Sequence, residues 1–152
     1  MLYVLFEIGA DRFLLRASEI LRLTSYCRPR PVPASPAGLI GLLPFQGSAV
    51  PIVDPAMALT NATSRQLRST RIAYCRDSKT GHVLGVILES AVETARLADS
   101  DFSVPPLSME RCRCAGDLAL VDGVLAQRVE VSELASDEVW RLVANASQEA
   151  TP

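Results

Sequence analysis

The sequence predicts a mainly β protein built as two similar small lobes, and three features carry that expectation. Two apolar runs, residues 39–45 and 49–53, are separated only by Gln46-Gly47-Ser48. A Gly-centred turn between apolar runs of this length reads as a tight β-hairpin. A second hairpin is marked by Asp122-Gly123 between residues 118–121 and 124–131, since both central positions of such a turn favour positive φ. The third feature is an echo between the two. Gly47 is followed seven residues later by Asp54, Gly123 by Glu130, and Leu59 and Leu134 close the two units. Each unit reads as hairpin, acidic residue, short helical turn and leucine, which fits a pair of lobes better than one irregular sandwich.

In chain order, Leu2, Val4, Phe6 and Ile8 alternate with Tyr3, Leu5 and Glu7 in an opening strand, and residues 12–17 return from a turn at Gly9-Ala10-Asp11. Residues 19–23 fit a short strand or a helical turn equally well. Residues 27–36 contain Pro29, Pro31, Pro33 and Pro36, which exclude a helix interior or a central strand and impose an exposed, extended connection. The 38–54 hairpin is apolar on nearly every position, so both faces are expected to be covered, at the centre of a domain. Residues 55–59 suit a short helix, and the polar stretch 60–69 marks a seam between lobes. Residues 70–76 and 82–89 form another strand pair, with Gly85 reading as a bulge or a close backbone approach. Residues 91–97 can continue as strand, and 98–116 read as loop. After the last hairpin, Ser136-Asp137-Glu138 caps a terminal helix whose apolar side is Val139, Trp140 and Val143. The expected domain covers residues 1–145, with 146–152 as tail.

Composition narrows the functional classes. The 152 residues are 49% hydrophobic and 21% charged, with a net charge of −2, ordinary for a folded domain that buries about 70% of its unfolded surface. Beyond Arg65, Arg68 and Arg71 no basic cluster appears, which argues against a nucleic-acid partner. The N-terminus lacks a signal-peptide pattern, and no apolar run approaches the ~18 residues of a membrane span. A cytoplasmic location follows as an expectation, with Cys27, Cys75, Cys112 and Cys114 as reduced thiols.

Catalytic signatures are scarce. The single histidine, His82, has no motif neighbour and reads as a strand-edge residue. Phosphate-cradling, dinucleotide and zinc-protease motifs are absent. Cys112-Arg113-Cys114 is the sharpest chemical candidate, two thiols beside Arg111 and Arg113 that could hold a metal or act as a redox pair. A structural zinc site wants two closely spaced cysteine pairs, whereas Cys27 and Cys75 are distant in sequence. Incidental thiols are the plainer reading, and Cys75 suits a core strand. No catalytic residue, metal or cofactor is therefore assigned, and the chain reads as a protein-binding module. The alternative is a small β-barrel module with a thiol-based site at Cys112 and Cys114.

Several segments together carry a family resemblance. Phe6-Glu7-Ile8-Gly9 matches F-x-[IL]-G, Asp11-Arg12-Phe13-Leu14-Leu15 matches D-x-[YF]-x-[IVL], and Glu19-Ile20 matches E-[IV]. Residues 33–41 match P-x-x-P-x-x-[IVL]-x-G, and residues 41–55 match in part G-[IVL]-[IVL]-N-x-R-G-x-[IV]-[IV]-P-[IV]-[IV]-D-L. Leu84-Gly85-Val86-Ile87-Leu88-Glu89 and Val121-Asp122-Gly123 match more loosely. Over residues 2–134 the chain resembles the CheW family of chemotaxis coupling proteins, and its opening looks closest to coupling subunits of Wsp-type surface-sensing systems. The resemblance implies two five-stranded SH3-like β-barrel lobes sharing a core, with short helices and a C-terminal helix. It implies an adaptor without enzymatic activity or cofactor, joining a CheA-type histidine kinase to the cytoplasmic tip of a methyl-accepting chemoreceptor. By resemblance, the kinase-facing residues are Glu19, Gly41, Gln46 and Gly47, and the receptor groove is lined by Ile52, Val86 and Leu88. For the apolar residues core packing is an equally good reading, and Gly47 has its own turn requirement. The chain departs from the pattern at the hairpin bend. The family's N-x-R-G is Pro44-Phe45-Gln46-Gly47 here, so a neutral amide stands in place of a charged planar fork. Pro44 also lacks a ladder N–H, which suits only an edge or a bulge.

Overall fold

A computed structural model describes residues 1–56, 70–104 and 116–149. Nine strands follow one another: β1 (Leu2–Ile8), β2 (Asp11–Arg16), β3 (Ile20–Ser25), β4 (Leu39–Phe45), β5 (Ser48–Val53), β6 (Arg71–Arg76), β7 (Val83–Arg96), β8 (Leu118–Val121) and β9 (Val124–Val129). A helix, α1 (Asp137–Glu149), ends the described chain. It starts where Ser136 Oγ accepts the Val139 N–H at 3.3 Å, and it continues past the expected domain boundary at 145. The ambiguous stretch after β2 is both things at once: a 3₁₀ turn at Ala17–Glu19 and then β3. The expected seam at 60–69 lies outside the described residues, as does Leu59.

The strands divide into two five-stranded lobes. A terminal lobe runs in the order β7-β1-β2-β9-β8, and a central lobe in the order β3-β6-β7-β5-β4. β7 belongs to both. Its first half pairs with β6 and β5, and its second half pairs with β1. Between the halves, Ser90 takes a left-handed φ of +50° and the β1–β7 register shifts. This break turns the strand from one lobe into the other.

The sequence echo becomes a structural repeat. β1–β2 is an antiparallel hairpin, β2 pairs in parallel with β9, and β9 pairs with β8. β6 with the start of β7 is likewise a hairpin, β7 pairs in parallel with β5, and β5 pairs with β4. Each half of the chain thus builds two strands of one lobe and three of the other. Both expected hairpins carry paired positive φ values, +50° and +80° at Gln46-Gly47 and +51° and +78° at Asp122-Gly123. This is the turn geometry whose twist matches that of the flanking strands.

Alternation along the strands distributes side chains among three cores. Tyr3, Leu5, Leu14, Ala119, Val121 and Ala126 fill the terminal lobe, and Phe45, Val50, Ile52, Ile72, Tyr74 and Ile87 fill the central one. The opposite faces of β1, β2, β6 and β7 meet in a shared core containing Phe6, Leu15, Ala73, Leu84, Val86 and Leu88, covered by Val139 and Val143 of α1. Two-sided burial explains why these strands are apolar at nearly every position. Each fully buried large side chain adds about 1.5–3 kcal/mol.

The 38–54 hairpin does not sit at the centre of the domain. β4 forms an outer edge of its sheet, Ile40 is 36% exposed, and Pro44 and Ala49 are exposed. Pro44, opposite Ala49, occupies the edge position where a missing N–H costs nothing. Only the far end of β5 is paired on both sides, where Ile52 pairs with Gly85 and Val53 with Val86, while Phe45 and Val50 turn their side chains into the central core. Gly85 is a close approach, because a Cβ there would run into Ile52 Cδ1. Gly85→Ala is expected to cost about 1–3 kcal/mol of stability through overpacking, measurable as a lowered denaturant midpoint with an unchanged slope.

Candidate functional site

The most prominent exposed feature shared with the sequence expectations is the β4–β5 tip. Gln46 and Gly47 are both exposed, and a Cβ on Gly47 would meet nothing within 4 Å. Space is not what requires glycine there; the φ of +80° is. The tip is held rigid from below. Phe45 is buried and stacks on Tyr74, with ring centroids 4.1 Å apart and planes 5° from parallel. The Arg22 guanidinium of β3 lies 6.0 Å from the Phe45 ring centroid. A cation therefore stands beside the tip even though position 46 is Gln. Arg22 was not legible as a tip residue, since it reaches the bend from a strand 20 or more residues earlier.

Gly41 acts through a neighbour. A Cβ there would collide with the Arg30 carbonyl, and the Pro29 Cβ is 3.0 Å away. The close approach lets Arg30 exchange two 2.9 Å backbone hydrogen bonds with Leu42. The proline-rich segment is thereby laid along the free edge of β4, where Pro29 and Pro31 flank the one bridging residue. This edge is blocked by chemistry that cannot extend the ladder.

Glu19 lies at the joint between lobes, half-buried in the 3₁₀ turn that carries the chain from β2 to β3. Burial raises its carboxyl above the ordinary value, and the Glu130 and Asp77 charges push the same way. Arg16 and a hydrogen bond from the Val131 backbone oppose them.

Ile52, Val86 and Leu88 have a different position from the one expected. All three are 0% exposed, Ile52 inside the central lobe and Val86 and Leu88 in the shared core. They line no surface groove, because the parallel β5–β7 contact encloses Ile52 and two-sided burial encloses the other two. The kinase-facing set is likewise dispersed: Gln46 and Gly47 share the tip, Gly41 lies along the β4 edge, and Glu19 is at the joint.

Among the described residues, no group of three His, Cys, Asp or Glu side chains is placed to hold a metal. Cys27 is exposed, and Cys75 is buried, its thiol pushed strongly upward by burial. Cys112 and Cys114 lie outside the described residues. No described helix is long and apolar enough to cross a membrane.

The described residues define a double-barrel β domain that exposes turn tips and strand edges. The CheW-like domain model matches residues 2–139, so the chain belongs to the CheW-like domain family. No curated protein sequence matches it. Among solved structures, it is similar to the scaffolding protein TtCheW from Thermoanaerobacter tengcongensis, with a TM-score of 0.77, 15% identity, and coverage of 90% of this chain and 89% of that one. At that identity the likeness is one of fold, and it agrees with the expected pair of SH3-like barrels.

The raised Glu19 carboxyl gives a signed pH dependence. A group whose folded pKa exceeds its unfolded value favours folding fully below the ordinary value of 4.5; that contribution is lost as pH rises through the folded pKa. Glu19→Gln, neutral throughout and able to accept the same backbone hydrogen bond, is expected to melt higher than the parent at neutral pH. The difference should vanish below the ordinary carboxylate value, as followed by thermal melts across that range.

Proposed function

We propose that the chain is a non-enzymatic signalling adaptor that couples chemoreceptors to a CheA-type histidine kinase, in chemotaxis or surface sensing, and that it acts in the cytoplasm. The observation that carries this reading is the CheW-like match across residues 2–139, on a double barrel that exposes turns and strand edges. A rigid, exposed tip suits such a role, because a pre-ordered contact loses little conformational entropy on binding.

In this reading Gln46 and Gly47 touch the kinase, and Arg22 supplies a cation beside them. Gly41 contributes by seating the Arg30 segment on the β4 edge, and Glu19 contributes at the joint. The receptor partner is the helical cytoplasmic tip, whose apolar side would dock without entering the cores.

Gln46→Ala is expected to weaken binding to the cognate CheA-type kinase about fivefold, near 1 kcal/mol, read by titration calorimetry. Gln46→Asn, which tolerates the left-handed backbone, controls for turn strain, and Arg22→Ala should weaken binding in the same direction. Kinase affinities unchanged in both Gln46→Ala and Arg22→Ala would count against the tip as a contact.

A further inference from the structure

An exposed thiol stands near the stacked Phe45–Tyr74 pair that supports the β4–β5 tip. Cys27 opens the proline-rich segment after β3 and is exposed. The segment is fixed on either side of it. Tyr26 packs against the central core that holds Phe45 and Tyr74, and Arg30 bridges to Leu42. Arg22 of β3 is the cross-strand partner of Tyr74 on β6. Among the described residues, no carboxylate pairs with Arg22 or Arg28, and both are exposed.

Tyr74 adds a hydrogen-bond donor to this group. The residue is only 5% exposed, yet its hydroxyl bonds to no described residue and is not sealed from solvent. A polar group so nearly enclosed ordinarily has a partner. Burial raises its pKa, the Cys27 thiol raises it further, and the Arg22 guanidinium opposes them. The phenol therefore stays protonated and faces both groups. Beside Cys27, residues Tyr26, Arg28, Pro29, Pro31 and Ile40 line a hollow of about 360 Å³, within the ~300–1,000 Å³ of small-molecule sites.

We propose that Cys27 is a reversible thiol-exchange site for a small disulfide bearing carboxylates. Arg22, Arg28 and the Tyr74 hydroxyl receive the charged groups, and the proline-lined hollow receives the remainder of the reagent. In the exchange, the Cys27 thiol loses its proton to water and its sulfur attacks one sulfur of the disulfide. The new S–S bond forms as the old one breaks, and the departing sulfur leaves with the electron pair and takes up a proton. The protein sulfur is oxidised and the departing sulfur is reduced, so no further oxidant is needed. An excess of the free thiol runs the step backwards. A metal cation suits the place less well, because two guanidinium groups repel it and one thiol holds it weakly. This proposal does not depend on the kinase reading, and its test uses the purified chain alone.

The chain is treated with glutathione disulfide, which is anionic, or with 2-hydroxyethyl disulfide, which is neutral. Adducts on each cysteine are followed by peptide mass spectrometry, which separates Cys27 from Cys112 and Cys114. Each rate is divided by that reagent's rate with a free model thiol. The expected result is a normalised rate at Cys27 about tenfold higher for the anionic reagent, a preference that fades at ~500 mM NaCl. Arg22→Gln and Arg28→Gln should each reduce the preference about threefold. Tyr74→Phe, which keeps the stacked ring, should reduce it too, and the neutral reagent's rate should stay unchanged in all three. Equal normalised rates in the parent chain, or no adduct on Cys27, would overturn the proposal without recourse to any variant. So would a preference that survives both high salt and the paired arginine substitutions.

Discussion

The shared strand β7 is the constraint on which the rest of the structure depends. Its first half supplies the middle of the central lobe, between β6 and β5, and its second half supplies an edge of the terminal lobe beside β1. One covalent segment therefore fixes the distance and twist between two barrels. The break at Ser90 is where this is achieved, since a left-handed residue within a strand re-aims everything after it. Leu84, Val86 and Leu88, before the break, face the shared core, while Ile87 faces the central lobe. The strand thus joins the lobes through packing as well as through the backbone.

The shared core extends that coupling. Phe6 and Phe13 stack across β1 and β2, centroids 5.5 Å apart, and α1 closes the side with Val139 and Val143 while Trp140 donates its indole N–H to the Ser132 carbonyl at 3.0 Å. At the terminal lobe, Arg128 holds Asp117 at 2.7 Å and lies 4.2 Å from the Phe102 ring centroid. This ties the segment after β7 to the sheet it has just left. The accessible turns and edges project from a body tied together by these contacts.

Much of the fold was legible in the sequence where signals are local. Asp122-Gly123, Gln46-Gly47 and the Ser136 cap each rest on residues within a few positions of one another, and each takes the expected form. The place of the β4–β5 hairpin was not legible. Its apolar residues suggested a central position, yet whether a strand is central depends on how many neighbours it acquires, and β4 acquires one strand and the Arg30 bridge. The same limit applies to the site. Ile52, Val86 and Leu88 look alike as surface or core until pairing with β7 encloses them, and the meeting of Arg22 with Phe45 joins strands far apart in the chain.

That interleaving also sets an order of assembly during synthesis. The central lobe has all its strands once Leu88 has emerged, and its ladders can close at that point. The terminal lobe cannot: β1 and β2 emerge first of all, yet β2 finds its parallel partner only when Phe13, Leu14 and Leu15 meet Gln127, Arg128 and Val129. The oldest part of the chain is therefore the last to be completed on its outer side. Until β9 arrives, the apolar flank of β2 stands open on the ribosome, a long-range closure of the kind that slows folding and invites wrong partners.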